Sequence, residues 1–205
     1  MSDVHPELGK TMALVQSAQE GSDEALDELF ARYLPTVRQI AALRMGFRMR
    51  QMLDVEDIVQ DSLLAVLRGI DRFEHSSEGS FRNWLSNCVE CAVIDNSRRA
   101  AAKKRGEGKV RRFGDYRSEQ RLSSVFAGGG PTPSQIAQGA EFEEILEDAL
   151  LKLPKHYREV LIQRQLCEMS YKEIADSMGF TEEATVRKAC SRAAKKLKEL
   201  LEPAS

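Results

Sequence analysis

SYKEIADSMGFTEEATVRKACSRAAKKLKELL, Ser170–Leu201, is the stretch on which the fold turns. Ser170 is placed to cap a helix, and Glu173, three residues on, completes a capping box. Ile174, Ala175 and Met178 then form a short apolar stripe, and Gly179 supplies the positive φ that ends the helix. Thr181 is expected to cap a second helix whose first turn carries Glu182 and Glu183, as the macrodipole favours. Val186, Ala189, Cys190, Ala193, Leu197 and Leu200 or Leu201 recur at helical spacing and would pack on the first helix. The other side presents Arg187, Lys188, Ser191, Arg192, Lys195 and Lys198. A short helix, a glycine turn and a longer helix with cationic and hydroxyl side chains outward is what a helix-turn-helix reader of duplex DNA needs. Such a face must meet phosphates and base edges together, and it offers both kinds of group. The same pattern also describes a plain all-α domain with a solvated basic face.

Charge is unevenly spread over the 205 residues, although the net charge is only −2. The first thirty residues are acidic, with Asp3, Glu7, Glu20, Asp23, Glu24, Asp27 and Glu28 against Lys10, whereas Arg98 to Arg121 is dense in arginine and lysine. No run is long and apolar enough to cross a bilayer, and the N-terminus lacks a signal-peptide pattern, so a cytoplasmic, reducing location is expected. Cys88 and Cys91 form a CxxC, but Cys88 falls in an apolar helical stripe and no second ligand pair has metal spacing. Free cysteine packing as a small hydrophobe is the simpler reading, so neither a metal nor another cofactor is expected.

Residues 1–20 are polar with weak periodicity and are expected to be loosely ordered. Ser22 or Asp23 opens a helix with Leu26, Leu29, Phe30, Tyr33, Val37, Ile40 and Ala41 on one face, and Pro35 is expected to kink it. Met45–Met52 reads as a glycine-containing connector with exposed arginines. Asp54 opens the next helix, whose buried stripe is expected to be Val55, Ile58, Val59, Leu63, Val66, Leu67 and Ile70. Asp57, Gln60, Asp61, Leu64 and Arg68 share the opposite side. A leucine among acids there is either incidental or part of a docking face for another protein. After the turn-forming loop Phe73–Ser80, Ser80 is expected to cap a helix burying Phe81, Trp84, Leu85, Cys88, Val89, Ala92 and Val93. Arg82, Asn83, Ser86, Asn87 and Glu90 would face outward. From about Lys103 the pattern fails, and the segment holds Gly128–Pro133, which reads as a linker. Order returns at Phe142, Ile145, Leu146, Ala149, Leu150 and Leu153. The expected fold is thus all-α: a loose segment 1–20, a helical domain 21–102, a flexible basic linker 103–139, and a helix-turn-helix domain 140–205.

DVEDIVQDSLLAVLRGIDRF (Asp54–Phe73), GSFRNWLSNCVECAVIDNSRR (Gly79–Arg99), TPSQIA (Thr132–Ala137) and the run Leu150–Leu197, in this order, resemble an RNA polymerase sigma factor of the extracytoplasmic-function (ECF) type. Such proteins retain only the second and fourth conserved sigma regions. The resemblance implies that Asp57, Gln60, Asp61 and, with them, Leu64 contact the β′ clamp helices of core polymerase, with the β flap as a further contact. Ser80, Asn83 and Asn87, after the loop Glu74–Ser80, would capture a flipped base of the −10 element, and a specific pocket is required because extruding a base costs a few kcal/mol. Arg98 and Arg99 would lie near −10 phosphates. Thr181, Thr185, Arg187, Lys188, Ser191, Arg192 and Lys195 would enter the major groove of the −35 element. The linker would thread toward the RNA exit path, and an anti-sigma factor is a further partner the resemblance leaves open. Two departures stand out. Asn87 and Cys88 occupy the places of the paired tryptophans that help housekeeping sigma factors melt promoters, which implies stricter promoter choice with weaker melting. Gly179 to Val186 spans one residue more than the family's usual six, which shifts the turn or the helix start.

A stand-alone helix-turn-helix regulator, or a sigma-like partner-binding decoy, are the rival readings; the acidic outward face of Asp54–Phe73 is what a simple repressor would not need. Catalysis is not expected, since no carboxylate pair or nucleophile–base set stands in a convincing context.

Overall fold

Short side-chain oxygens start the first two long helices. Ser22 accepts from the Ala25 amide and opens α2 (Asp23–Arg50); Asp54 accepts from the Glu56 amide and opens α3 (Val55–Gly69). The structure, a computed structural model, describes residues 6–74, 77–104, 126 and 140–202. Every regular element among them is helical. Ahead of α2 lies α1 (Pro6–Gln19); a single 3-10 turn (Ile70–Arg72) follows α3, and α4 (Glu78–Lys104) completes the first module. The second comprises α5 (Ala140–Lys152), α6 (Lys155–Leu161) with a π turn (Ile162–Leu166), α7 (Tyr171–Met178) and α8 (Glu183–Leu201). Most of the expected linker 103–139 lies outside the described residues, and α4 runs on to Lys104.

Several local expectations are corrected. The segment expected to be loose carries α1, which buries Thr11 and Val15 against α2. Its apolar period was weak because part of its buried face is polar: Thr11 bonds the Tyr33 hydroxyl at 2.8 Å, and Gln19 donates to the Ile70 and Phe73 carbonyls at 2.8 Å each. α2 keeps helical angles through Pro35, where Tyr33 and Val37 are packed on either side, and breaks instead at Gly46 (φ 64, ψ 167). The positive φ calls for glycine at Gly46, and a β-carbon there would also stand 2.1 Å from the Leu151 Cδ1 of α5, so that side chain would have to shift. The connector's Arg50 is buried, not exposed, and pairs with Glu147 at 2.5 Å. The cap of α4 is Ser77 rather than Ser80: the Ser77 Oγ accepts from the Ser80 amide at 3.1 Å, and the Ser80 Oγ accepts from the Ser77 amide at 3.3 Å. In α8 the cap is Glu182, one residue past Thr181, so the helix starts late, as the longer spacing to Val186 implied.

The Ser170–Glu173 capping box is complete, with Gly179 left-handed at φ 71, and Ile174 and Val186 are fully buried between α7 and α8. Leu29, Val37, Ile40, Ile58, Phe81 and Val89 form the heart of the first module; Leu146, Leu150, Val160, Ile162 and Ala193 form that of the second. These two sets join in one continuous buried cluster, because α5 packs along α2 and the π turn packs against α4.

Candidate functional site

The residues expected to make contacts lie on three surfaces. On α3, Asp57, Gln60 and Leu64 are exposed and Asp61 is half-buried. Leu67, expected in the core, is 45 % exposed and stands beside Leu64 at 38 %. With Phe30 and Leu34 of α2 and Leu63, they line a groove of about 350 Å³, rimmed by Gln60 and Glu56. The outward leucine is therefore one wall of an apolar slot, edged by Gln60 and by Glu56, which accepts from Arg38 at 2.9 and 3.1 Å. The slot escaped sequence reading because one wall of it, Phe30 and Leu34, comes from another helix. Asp61 accepts from Asn96 at 2.8 Å and from Arg99 at 3.2 Å, which ties α3 to the end of α4.

At the start of α4 the expected −10 residues meet different fates. The Ser80 hydroxyl belongs to the cap and donates to the Ser77 carbonyl at 2.7 Å. Asn83 donates to the Ser177 hydroxyl of α7 at 3.1 Å. Asn87 and Arg98 are exposed, while Arg99 is shared with Asp61. From Ser80 to Arg98 the helix rises about 27 Å, at 1.5 Å per residue, so the two ends of this surface do not form one pocket.

A chain of buried polar groups missed by sequence reading fixes the start of α4. Tyr33 spends its one proton on Glu78 Oε1, at 2.8 Å, so the Thr11 hydroxyl donates to Tyr33. Arg32 in turn donates to Thr11 at 3.1 Å, and Arg82 donates to Glu78 at 2.6 Å. Burial, and then the Glu78 carboxylate, push the Tyr33 phenol up to about 12 despite the opposing Thr11 bond, so it stays a donor at physiological pH. Polar residues at helical spacing among apolar ones were the available signal.

Thr181, Thr185, Arg187, Lys188, Ser191, Arg192 and Lys195 are all exposed along α8 and its approach. Thr185, Lys188, Arg192 and Lys195 share one stripe by helical spacing. The Arg187 guanidinium lies 5.1 Å from the centre of the Tyr171 ring and 3.5 Å from Glu183, which holds it over the turn. These residues form one cationic face.

Cys91 of the CxxC pair is exposed. Cys88 is half-buried, and burial, then the neighbouring Cys91, push its thiol up to about 11. Cys167 is fully buried, and burial pushes it up to about 12. Among the described residues no group of His, Cys, Asp and Glu is arranged to hold a metal ion, and no helix is long and apolar enough to cross a membrane.

Comparison with known proteins finds relatives along most of the chain. The chain is 26 % identical over 192 residues to the ECF RNA polymerase sigma-E factor of Haemophilus influenzae, covering 93 % of this chain and 95 % of that one. It is 29 % identical over 187 residues to the ECF RNA polymerase sigma factor SigD of Mycobacterium tuberculosis, covering 91 % and 82 %. Among solved structures, CnrH in complex with the cytosolic domain of CnrY shares the fold, with a TM-score of 0.58 at 23 % identity over 94 % of this chain and 97 % of that one. The sigma factor RpoE of Bartonella quintana, in complex with the anti-sigma factor NepR, does so with a TM-score of 0.54 at 22 % identity, covering 85 % and 95 %. The ECF sigma factor family model matches residues 9–202, across both modules, and this chain belongs to that family.

Proposed function

We propose that this sigma factor docks on the β′ clamp of core polymerase through the α2–α3 groove and its acidic rim, and reads promoter DNA through α4 and α8. The groove is the observation that carries the docking half. Apolar area placed among Asp57, Gln60 and Asp61 does nothing for the chain's own core, and it gains stability only when a partner covers it. In this reading residues 21–102 act as the polymerase-binding and −10 module, and residues 140–205 as the −35 module, which also meets the β flap. Asn83 and Asn87 face the −10 strand and Arg98 its phosphates, while Ser80 contributes through the helix cap. The stripe Thr185, Lys188, Arg192 and Lys195, with Thr181, Arg187 and Ser191 beside it, enters the −35 major groove. Salt-dependent affinity comes from the cations and base choice from the side chains on the groove-facing stripe. The protein itself performs no catalysis, works in the cytoplasm and is open to restraint by an anti-sigma factor. A stand-alone regulator is not favoured, since the family match spans both modules.

The test is reconstitution. Purified protein is mixed with core polymerase and offered DNA of its own genome. Co-elution with core and defined start sites are expected; failure of both would end the sigma reading.

A further inference from the structure

We propose that Gln19 and Thr11 of α1 are positioning residues for −10 selectivity. They fix Phe73 ahead of α4 and Glu78 at its start, and so set the angle at which α4 presents Asn83 and Asn87. The inference rests on the −10 assignment above.

Two polar anchors of α1 reach α4 by separate routes. The Gln19 side-chain amide donates one hydrogen to the Ile70 carbonyl and the other to the Phe73 carbonyl, at 2.8 Å each. The Phe73 amide closes back on the Ile70 carbonyl at 3.0 Å, so Phe73 is held through both of its backbone groups. Its ring, 5.4 Å from that of Phe81 and 5.0 Å from that of Trp84, carries the position onto the first two turns of α4. Thr11 takes the other route. Its hydroxyl donates to Tyr33, and Tyr33 donates to Glu78, the first residue of α4. Arg82, one turn on, donates to the same Glu78 oxygen. The Tyr33 ring also stands edge-on to Phe81 at 5.2 Å. Both routes therefore converge on Phe81, next to Arg82 and Asn83.

The polarity of the Thr11 route is not needed for burial. Thr11, Tyr33 and Glu78 are 0 %, 3 % and 7 % exposed. Burying a hydroxyl or a carboxylate is unfavourable until every partner is in place, and apolar residues of similar volume often bury as well or better. What a connected polar chain adds is geometry. Apolar contact is non-directional, whereas hydrogen bonds fix angle as well as distance.

Base capture is where such precision is read. A flipped base is recognised by hydrogen bonds to its edge, and those bonds must offset the loss of stacking. A shift of about 1 Å at the start of α4 breaks contacts of that kind but changes the attraction of cations for phosphates little. Loss of either anchor therefore lowers discrimination between bases more than it lowers affinity.

The test reads discrimination directly. A promoter found in the reconstitution above is rebuilt as a library with its −10 and −35 elements randomised and a barcode in the transcribed region. Core polymerase with the full chain transcribes the library, and transcripts per template give the preference for the best base at each position. Gln19→Met and Thr11→Val keep side-chain volume and remove the hydrogen-bonding groups. Each is expected to lower the preference at a −10 position by roughly fivefold, the effect of one misread base, with −35 preferences unchanged. Thr11→Ser, which keeps the hydroxyl, is expected to give the wild-type profile. All reactions are run at a temperature where circular dichroism shows every variant folded. The proposal is overturned if −10 preferences hold in Gln19→Met and Thr11→Val, if they fall together with those at −35, or if Thr11→Ser is as defective as Thr11→Val. Asn83→Ala with Asn87→Ala separates the two layers. Unchanged −10 preferences in that variant would overturn the −10 assignment itself, and this inference with it.

Discussion

Replacing Leu64 and Leu67 together by alanine tests the docking groove with a magnitude the structure supplies. Leu64 leaves 38 % of its surface in water and Leu67 leaves 45 %. Burying a leucine side chain fully is worth about 1.5–3 kcal/mol, so covering the remaining shares is worth about 0.6–1.1 and about 0.7–1.4 kcal/mol. Their sum, about 1.3–2.5 kcal/mol, corresponds to roughly an 8- to 60-fold loss of affinity for core polymerase. The assay is fluorescence anisotropy of labelled protein titrated with core enzyme. The portions of both leucines already buried pack in their own module, so the variant melts lower; the titration is run where both proteins are folded, as circular dichroism reports. The chemistry adds a second discriminant. An apolar contact persists at high salt, whereas an Asp57→Ala defect shrinks as salt screens the rim. A dissociation constant within twofold of wild type would refute the claim that polymerase covers this groove.

Other perturbations follow from single contacts. Arg187→Ala with Lys188→Ala should weaken binding to −35 duplex and reduce the salt slope of log K by about two if both meet phosphates, at about 0.9 per contact; an unchanged slope removes them from the interface. Arg44, 6 % exposed, forks across Glu159 at 2.9 and 3.1 Å and also bonds Glu90 at 3.1 Å. Arg44→Ala strands Glu159 between the modules, while Glu90 keeps Lys155, and should cost about 3–5 kcal/mol in urea unfolding, whereas an Arg44→Ala, Glu159→Leu double variant recovers part of it. Burial opposes ionisation of Glu90, but the hydrogen bond from Lys155 and the charge of Arg44 outweigh it, and its pKa is lowered from 4.5. Its stabilising effect is therefore complete above the unfolded value and is lost as pH falls through the lowered folded value. The stability gap between wild type and Glu90→Gln should hold at neutral pH and close below about 4.5; a gap independent of pH contradicts the pairing.

How much of this was legible in the sequence depends on whether a feature is local. Ser170, Glu173 and Gly179 act within one turn of helix, and capping chemistry alone placed them correctly. Thr181 failed as a cap by one residue, since the longer turn lets Glu182 take the extended backbone position at which α8 begins. Ser80 failed by three, because Ser77 and Ser80 bond one another reciprocally and a serine at either end of that exchange reads alike. Pro35 and Gly46 invert the usual order of helix breakers. Packing of Tyr33 and Val37 holds the helix through the proline, while Gly46 takes the positive φ at which the helix breaks. Leu67 shows the same limit. Its period belongs to the buried stripe, yet it is 45 % exposed in the groove it shares with Phe30 and Leu34, and no pattern within α3 records how much of it α2 covers. The faces expected on α3 and α8 lie where helical period put them, but the outward face expected on α4 does not, since Ser86 is buried and Arg82 is mostly covered. Asp61 and Arg99, assigned to different partners, bind one another at 3.2 Å, and Asn83 spends its amide on Ser177. Contacts of this kind join residues far apart in the chain, and they belong to a conformation rather than to a motif. A promoter reader whose reading groups are already satisfied by its own side chains must exchange those bonds for DNA, so its affinity reports the difference between two sets of partners and not the strength of either.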